Sequence, residues 1–287
     1  MDAVAVLGLG AMGSRMAARV LKAGYPLRIW NRSPGAAADL VGAGATLAAS
    51  PREAVRGAAF VVAMLRDDEA SRRVWLDPVD GALAGLEPDA VAIESSTLSY
   101  DWVRQLGQVA QQRNLHFLEA PVAGTRPQAE AGQLIYLVGG GAADFTRVEP
   151  LLKCMGATVH LAGEIGSGAL AKLCVNALLG VQVTALAELF GMLRRSGADV
   201  ERTMKVVAAT PVWSPVSTRT IDSMLSGNFA PQFPVELAEK DFGYALAAAG
   251  SPAAAPTIAA ALDVFRDAGS RGLQGANLTS VVQLFAP

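Results

Sequence analysis

The chain has 287 residues, a length for about two domains that each bury a core. Its 52% hydrophobic and 17% charged residues, with a mean hydropathy of +0.32, exclude a disordered chain and exceed the apolar content most soluble monomers need. The net charge of −2, with no block of like charge, excludes the electrostatic footprint of a nucleic-acid or membrane-surface binder.

The N-terminus enters an apolar run at Ala3 without the basic segment and cleavage site of a signal peptide, so the chain reads as cytoplasmic. Up to about residue 161, short β-rich runs alternate with helical stretches. The runs are 3–7, 27–30, 60–65, 90–94, 116–122, 134–138 and 158–161. Most are continuously apolar, as in strands covered by helices on both faces. Between them, residues 12–23, 34–41, 51–56, 68–74, 100–112 and 143–155 have lengths suited to crossover helices. This half is expected to be a doubly wound α/β domain of the Rossmann type.

From Gly163 onward the β-branched clusters vanish. A helix over 167–196, roughly 45 Å long, is expected to link the halves, followed by helices near 200–208, 216–226, 235–249, 254–267 and 278–284. The division is therefore 1–162, α/β, and 163–287, all-α. The apolar part of the long helix, 177–193, contains Gln182, Thr184 and Glu188, which suits a buried helix better than a bilayer span. Cys154 and Cys174, too few for a disulfide framework and set among apolar neighbours, read as buried free thiols.

Gly8, Leu9, Gly10, Ala11, Met12 and Gly13 form a G-x-G-x-x-G between the first strand and the first helix. The first glycine permits the tight turn, the second admits a pyrophosphate, and the third lets helix and strand pack, while the helix start offers N–H donors. About twenty residues on, where an NAD site would carry a carboxylate for the ribose, the chain reads Asn31, Arg32, Ser33. A guanidinium and a hydroxyl suit a 2′-phosphate, so NADP is expected over NAD. Leu65, closing the 60–65 run, is grouped with these cofactor residues. Lys172 and Asn176, one helical turn apart, are polar positions in an apolar segment, and a buried lysine is a candidate proton donor to a carbonyl oxygen.

These features occur with Ser96-Thr97, with Glu119-Ala120-Pro121-Val122-x-Gly124-Thr125, with Gly168-x-x-x-Lys172-x-x-x-Asn176 and with Lys240-Asp241, in one order through nearly the whole chain. In that order and spacing the chain resembles the β-hydroxyacid dehydrogenase family, which includes 3-hydroxyisobutyrate dehydrogenase and the glyoxylate/succinic semialdehyde reductases. The resemblance implies an NADP(H)-dependent oxidoreductase of small β-hydroxyacids or aldehyde acids, its site in the cleft between domains. It implies Lys172 as the general acid and base, Asn176 as the amide that orients the substrate, and Thr97 as a contact to the nicotinamide ribose. The turn of Val122, Ala123, Gly124 and Thr125 matches the loop that holds a substrate carboxylate, and Lys240 matches a cleft lysine whose charge would lower the pKa of Lys172. Ala123 stands where many members have Ser, which removes one donor, and Arg126 beside it is a candidate source of charge.

Trp213 is a candidate wall of the substrate pocket. An imine reductase resembles this build but typically has Asp or Tyr at the lysine's place. A 6-phosphogluconate dehydrogenase carries a far longer helical domain, and a non-catalytic NADP-binding scaffold of the same fold lacks the lysine. His116 and His160 show no ligand spacing, so no metal is expected. The apolar second half implies a homodimer or homotetramer through the helical domain.

Overall fold

The computed structural model describes residues 1–286. The strands are β1 (Val4–Leu7), β2 (Leu27–Trp30), β3 (Thr46–Leu47), β4 (Phe60–Ala63), β5 (Val91–Glu94), β6 (His116–Glu119), β7 (Val122–Ala123), β8 (Leu134–Gly139) and β9 (Gly156–Gly163). They form one sheet in the order β3-β2-β1-β4-β5-β6-β8-β7, with β9 beside β8. All pairs from β3 to β6 are parallel, whereas β8 runs antiparallel to β6 and β7. The order β3-β2-β1-β4-β5-β6 is that of a dinucleotide-binding Rossmann sheet.

The helices around the sheet are α1 (Gly13–Lys22), α2 (Ala38–Gly42), α3 (Pro51–Val55), α4 (Asp68–Leu76), α5 (Tyr100–Gln112), α6 (Arg126–Ala131) and α7 (Ala142–Met155). Successive strand residues feed opposite cores. Val4 and Val6 pack with Met16, Val20, Leu151 and Leu152 on one face, and Ala5 and Leu7 with Val55, Trp75 and Leu106 on the other. Both sides of each central strand are thus covered, which is why the sequence runs are apolar without alternation.

The helical part comprises α8 (Ser167–Arg195), α9 (Val200–Ala208), α10 (Pro215–Ser226), α11 (Val235–Ala249) and α12 (Pro256–Ala268), closed by a 3₁₀ helix, Leu278–Leu284. Its core includes Phe190, Met204, Leu262 and Val281 around the tilted ring pair Phe242 and Phe265, whose centroids lie 5.3 Å apart. Gly180 lets α11 come close, because a Cβ there would overlap the Phe242 ring. The chain divides into two compact units, Met1–Lys172 and Leu173–Pro287. The division falls inside α8, ten residues beyond the end of the α/β run at 162.

Several details differ from the sequence expectation. The run 116–122 is broken at Pro121, which has no N–H to continue a ladder, and its end pairs separately as β7. β3 and α6 were not expected. Cys174 is exposed, not buried, because its apolar neighbours at i±1 lie on other faces of α8. Cys154 is half-buried, its Sγ donates to the Leu151 carbonyl, and burial pushes its thiol up to about 11. By length and composition α8 passes the test for a membrane span, yet Val183, Ala187 and Phe190 on it are core residues of the helical unit.

Candidate active site

The first unit gathers its candidate residues at the carboxyl ends of β1, β2, β4, β5 and β6, the edge of an open parallel sheet where ligands bind. After β1, Gly8 adopts φ +96°, and a Cβ on it would overlap the Met64 carbonyl oxygen, while one on Gly13 would overlap the Gly8 carbonyl oxygen. Gly10 is different: a Cβ there meets nothing within 4 Å. The turn therefore packs tightly at its first and third glycines and leaves open space over the second. No side chain caps the start of α1, and its first turn has no acidic residue. An open cradle at an uncapped helix start fits a pyrophosphate.

Asn31 works inward. Its Oδ1 accepts from the Leu9 N–H at 2.9 Å and its Nδ2 donates to the Ser33 carbonyl at 2.9 Å, so it fixes the glycine turn against the end of β2. Arg32 and Ser33 are exposed beside it, and the Arg32 guanidinium has no partner among the described residues. No carboxylate stands at this strand end.

Leu65 is tied to Ser96, the residue before Thr97, and Ser96 to a buried carboxylate. Glu94, at the end of β5, accepts from Ser71 Oγ at 2.7 Å, Trp75 Nε1 at 2.8 Å, and both the N–H and Oγ of Ser96. Ser96 Oγ in turn accepts from the Leu65 N–H at 2.7 Å. Burial raises the pKa of Glu94 despite these donors. The loops after β4 and β5 are thereby pinned to each other.

Beyond β6 the chain turns through Val122, Ala123, Gly124 and Thr125. Gly124 has φ +125°, a conformation open to glycine alone. The N–H and the hydroxyl of Thr125 both donate to Gln128 Oε1. Both contacts form the start of α6, for which Thr125 is the N-cap. Arg126 is half-buried, and its Nε is buried without a hydrogen-bond partner among the described residues.

Lys172 closes this unit, 9% exposed and four residues beyond Gly168, at the start of α8. Glu119 Oε1 accepts from the N–H groups of Gly166 at 2.6 Å and Gly168 at 2.9 Å. Burial pushes the Glu119 carboxyl up to about 7, with backbone N–H groups pulling the other way.

In the second unit, Asn176 is 5% exposed and its Nδ2 donates to Asp241 Oδ2 at 2.6 Å. Asp241, 3% exposed, has its Oδ1 2.8 Å from Lys240 Nζ, and Lys240 also lies over the Tyr244 ring at 4.5 Å. Lys240 and Asp241 thus form an ion pair within this unit. Trp213 is half-buried against the helical core and its Nε1 donates to Thr218 Oγ1 at 2.9 Å. Glu94, Glu119 and Asp241 were not singled out as site residues, although their sequence signal was present: carboxylates next to Ser96-Thr97, the substrate turn and Lys240. Among the described residues no group of three or more metal-ligating side chains occurs.

A Rossmann sheet with an open glycine cradle, followed by a helical unit, defines an NAD(P)-binding oxidoreductase. Residues 3–163 match the model for the NAD binding domain of 6-phosphogluconate dehydrogenase, and residues 166–285 that for NAD-binding of NADP-dependent 3-hydroxyisobutyrate dehydrogenase. The chain is 33% identical to the NAD-dependent L-serine dehydrogenase of Pseudomonas aeruginosa, over 100% of this chain and 99% of that protein. It is 31% identical to chloroplastic glyoxylate/succinic semialdehyde reductase 2 of Arabidopsis thaliana, over 98% and 78%. The solved 3-hydroxyisobutyrate dehydrogenase of Mycobacterium tuberculosis with L-serine superposes with a TM-score of 0.90 at 30% identity, over 99% of each chain. The chain belongs to the family of 3-hydroxyisobutyrate dehydrogenase, the β-hydroxyacid dehydrogenases, and is a dehydrogenase or reductase of hydroxyl and carbonyl groups.

Proposed function

We propose that the chain is an NADP(H)-dependent, cytoplasmic reductase of small aldehyde acids that runs in reverse on β-hydroxyacids, with Lys172 as general acid and base. The observation that carries this reading is a buried lysine at the start of a helix fastened to the sheet edge that also bears the glycine cradle. Bound NADPH supplies the hydride. Gly8 to Gly13 would hold its pyrophosphate, Leu65 would line the cofactor site and Thr97 would contact the nicotinamide ribose, while Lys172 donates its proton to the carbonyl oxygen and recovers one from the alcohol in reverse. Asn176, buried and held by Asp241 through its Nδ2, orients the substrate. Lys240 and Trp213 remain candidates for the cofactor and substrate. On α8, Leu178 (66% exposed), Leu189 and Met192 form an exposed apolar face that suits a homo-oligomer.

The test is consumption of NADPH against NADH with glyoxylate, succinic semialdehyde, tartronate semialdehyde and a cyclic imine. Reduction of an aldehyde acid with NADPH is expected, and turnover of the imine alone would overturn the reading. Arg32 supports NADP, since its exposed guanidinium has no partner at the position where a ribose-binding carboxylate would repel a 2′-phosphate. Arg32→Ala is expected to weaken NADPH binding about tenfold, as loss of a charge-assisted contact does, while leaving NADH binding unchanged. Equal loss for both coenzymes would refute the selectivity.

With Ala123 lacking a hydroxyl and both Thr125 donors held by Gln128, Arg126 is the remaining charged donor on this turn. Arg126→Ala is expected to raise KM for an aldehyde acid about tenfold, and to leave KM for an aldehyde without a carboxylate as it was. An unchanged KM for the acid would place the anion elsewhere.

A further inference from the structure

We propose that Glu119 is a positioning residue for the reduction, fastening the start of α8 to the end of β6 and so fixing Lys172 relative to the substrate turn. The proposal rests on the reading of Lys172 as the acid and base. Glu119 is the last residue of β6, three positions before Val122, and it is 1% exposed. Its Oε1 receives the N–H groups of Gly166 and Gly168, which open the helix that carries Lys172 one turn later. A single carboxylate therefore joins the strand that leads into the substrate turn to the helix that bears the lysine.

The surroundings are built for that contact. Gly139, opposite Glu119 in the β8 register, has no side chain, and a Cβ there would overlap Glu119 Oε1. Gly168 likewise lies so close to β8 that a Cβ would overlap the Leu137 carbonyl oxygen. The helix start is thus seated on β8 and tied to β6. Unpaired N–H groups at a helix start need an acceptor, and no other side chain is shown to supply one at Gly166 or Gly168. Glu119 Oε2 is buried without a hydrogen-bond partner among the described residues, so this carboxyl is committed to the helix through one oxygen alone. A glutamine retains that oxygen and an alanine does not.

The experiment is a double-mutant cycle between Glu119→Ala and Lys172→Ala, read as single-turnover reduction of the best aldehyde acid, with Glu119→Gln alongside. A displacement of about 1 Å at a proton donor costs up to about 100-fold, so Glu119→Ala is expected to lower the rate about 10- to 100-fold while NADPH affinity and KM change less than about threefold. Glu119→Gln is expected to recover the rate to within about threefold. In the Lys172→Ala background the alanine at 119 is expected to cost nothing further, because its effect travels through the lysine. A wild-type rate for Glu119→Ala, or the same fold-loss with and without Lys172, overturns the positioning role while leaving the lysine's own role standing. If Lys172→Ala itself keeps full rate, the acid and base reading fails and the proposal with it. Where Glu119→Ala does not fold, Glu119→Asp, which withdraws the carboxylate by one methylene, takes its place in the cycle with the same expected pattern.

Discussion

Lys172→Ala is expected to lower kcat for aldehyde-acid reduction by about 10²–10⁴-fold, the range that a positioned general acid contributes, with NADPH affinity within about threefold of wild type. Alanine is the best helix former, so α8 keeps its first turns and the loss is chemical. Lys172→Arg separates charge from proton transfer. A guanidinium retains the positive charge but does not release a proton at accessible pH, so it is expected to rescue substrate binding and not kcat. Steady-state rates and a fluorescence titration of NADPH check both variants. An alanine variant within threefold of wild-type kcat would remove Lys172 from the chemistry.

The features that carry this mechanism differ in how far they can be read from the sequence. The strands β1, β2, β4 and β5 declare themselves because both of their faces are covered, and α5, α9 and α11 because periodicity and punctuation agree on their ends. β3, two exposed residues long, carries no such signal. The fate of Thr125 was hidden for another reason. Its hydroxyl looks available to a ligand until Gln128, three residues on, is seen to take it, and that contact requires the turn that Gly124 makes possible. Lys240 is a similar case: a lysine beside an aspartate in sequence does not say whether the two side chains meet, and here they do. Glu119 and Asp241 mark the limit most clearly. Each is a carboxylate next to a recognised residue, and only the fold shows that one ties down the lysine's helix and the other holds the amide of Asn176.

The glycine turn yields the second large effect, because its glycines are needed for different reasons. Gly10 is not among the positive-φ residues and a Cβ there meets nothing, so Gly10→Ala is expected to fold with a wild-type Tm. Its methyl group occupies the space reserved for the pyrophosphate, and crowding a close contact costs about 1–3 kcal/mol, so NADPH affinity is expected to fall about 5- to 150-fold. Gly13→Ala is the reverse case. Its Cβ collides with the Gly8 carbonyl oxygen, a backbone atom that cannot rotate away, so the α1 and β1 packing must open. A cost of about 3 kcal/mol would lower Tm by roughly 6–12 °C, given about 2–4 °C per kcal/mol for domains of this size. Thermal melts of the ligand-free variants beside NADPH titrations distinguish the two. A Gly10→Ala protein that binds NADPH as tightly as wild type would show that the open space over the second glycine is not where the phosphates lie.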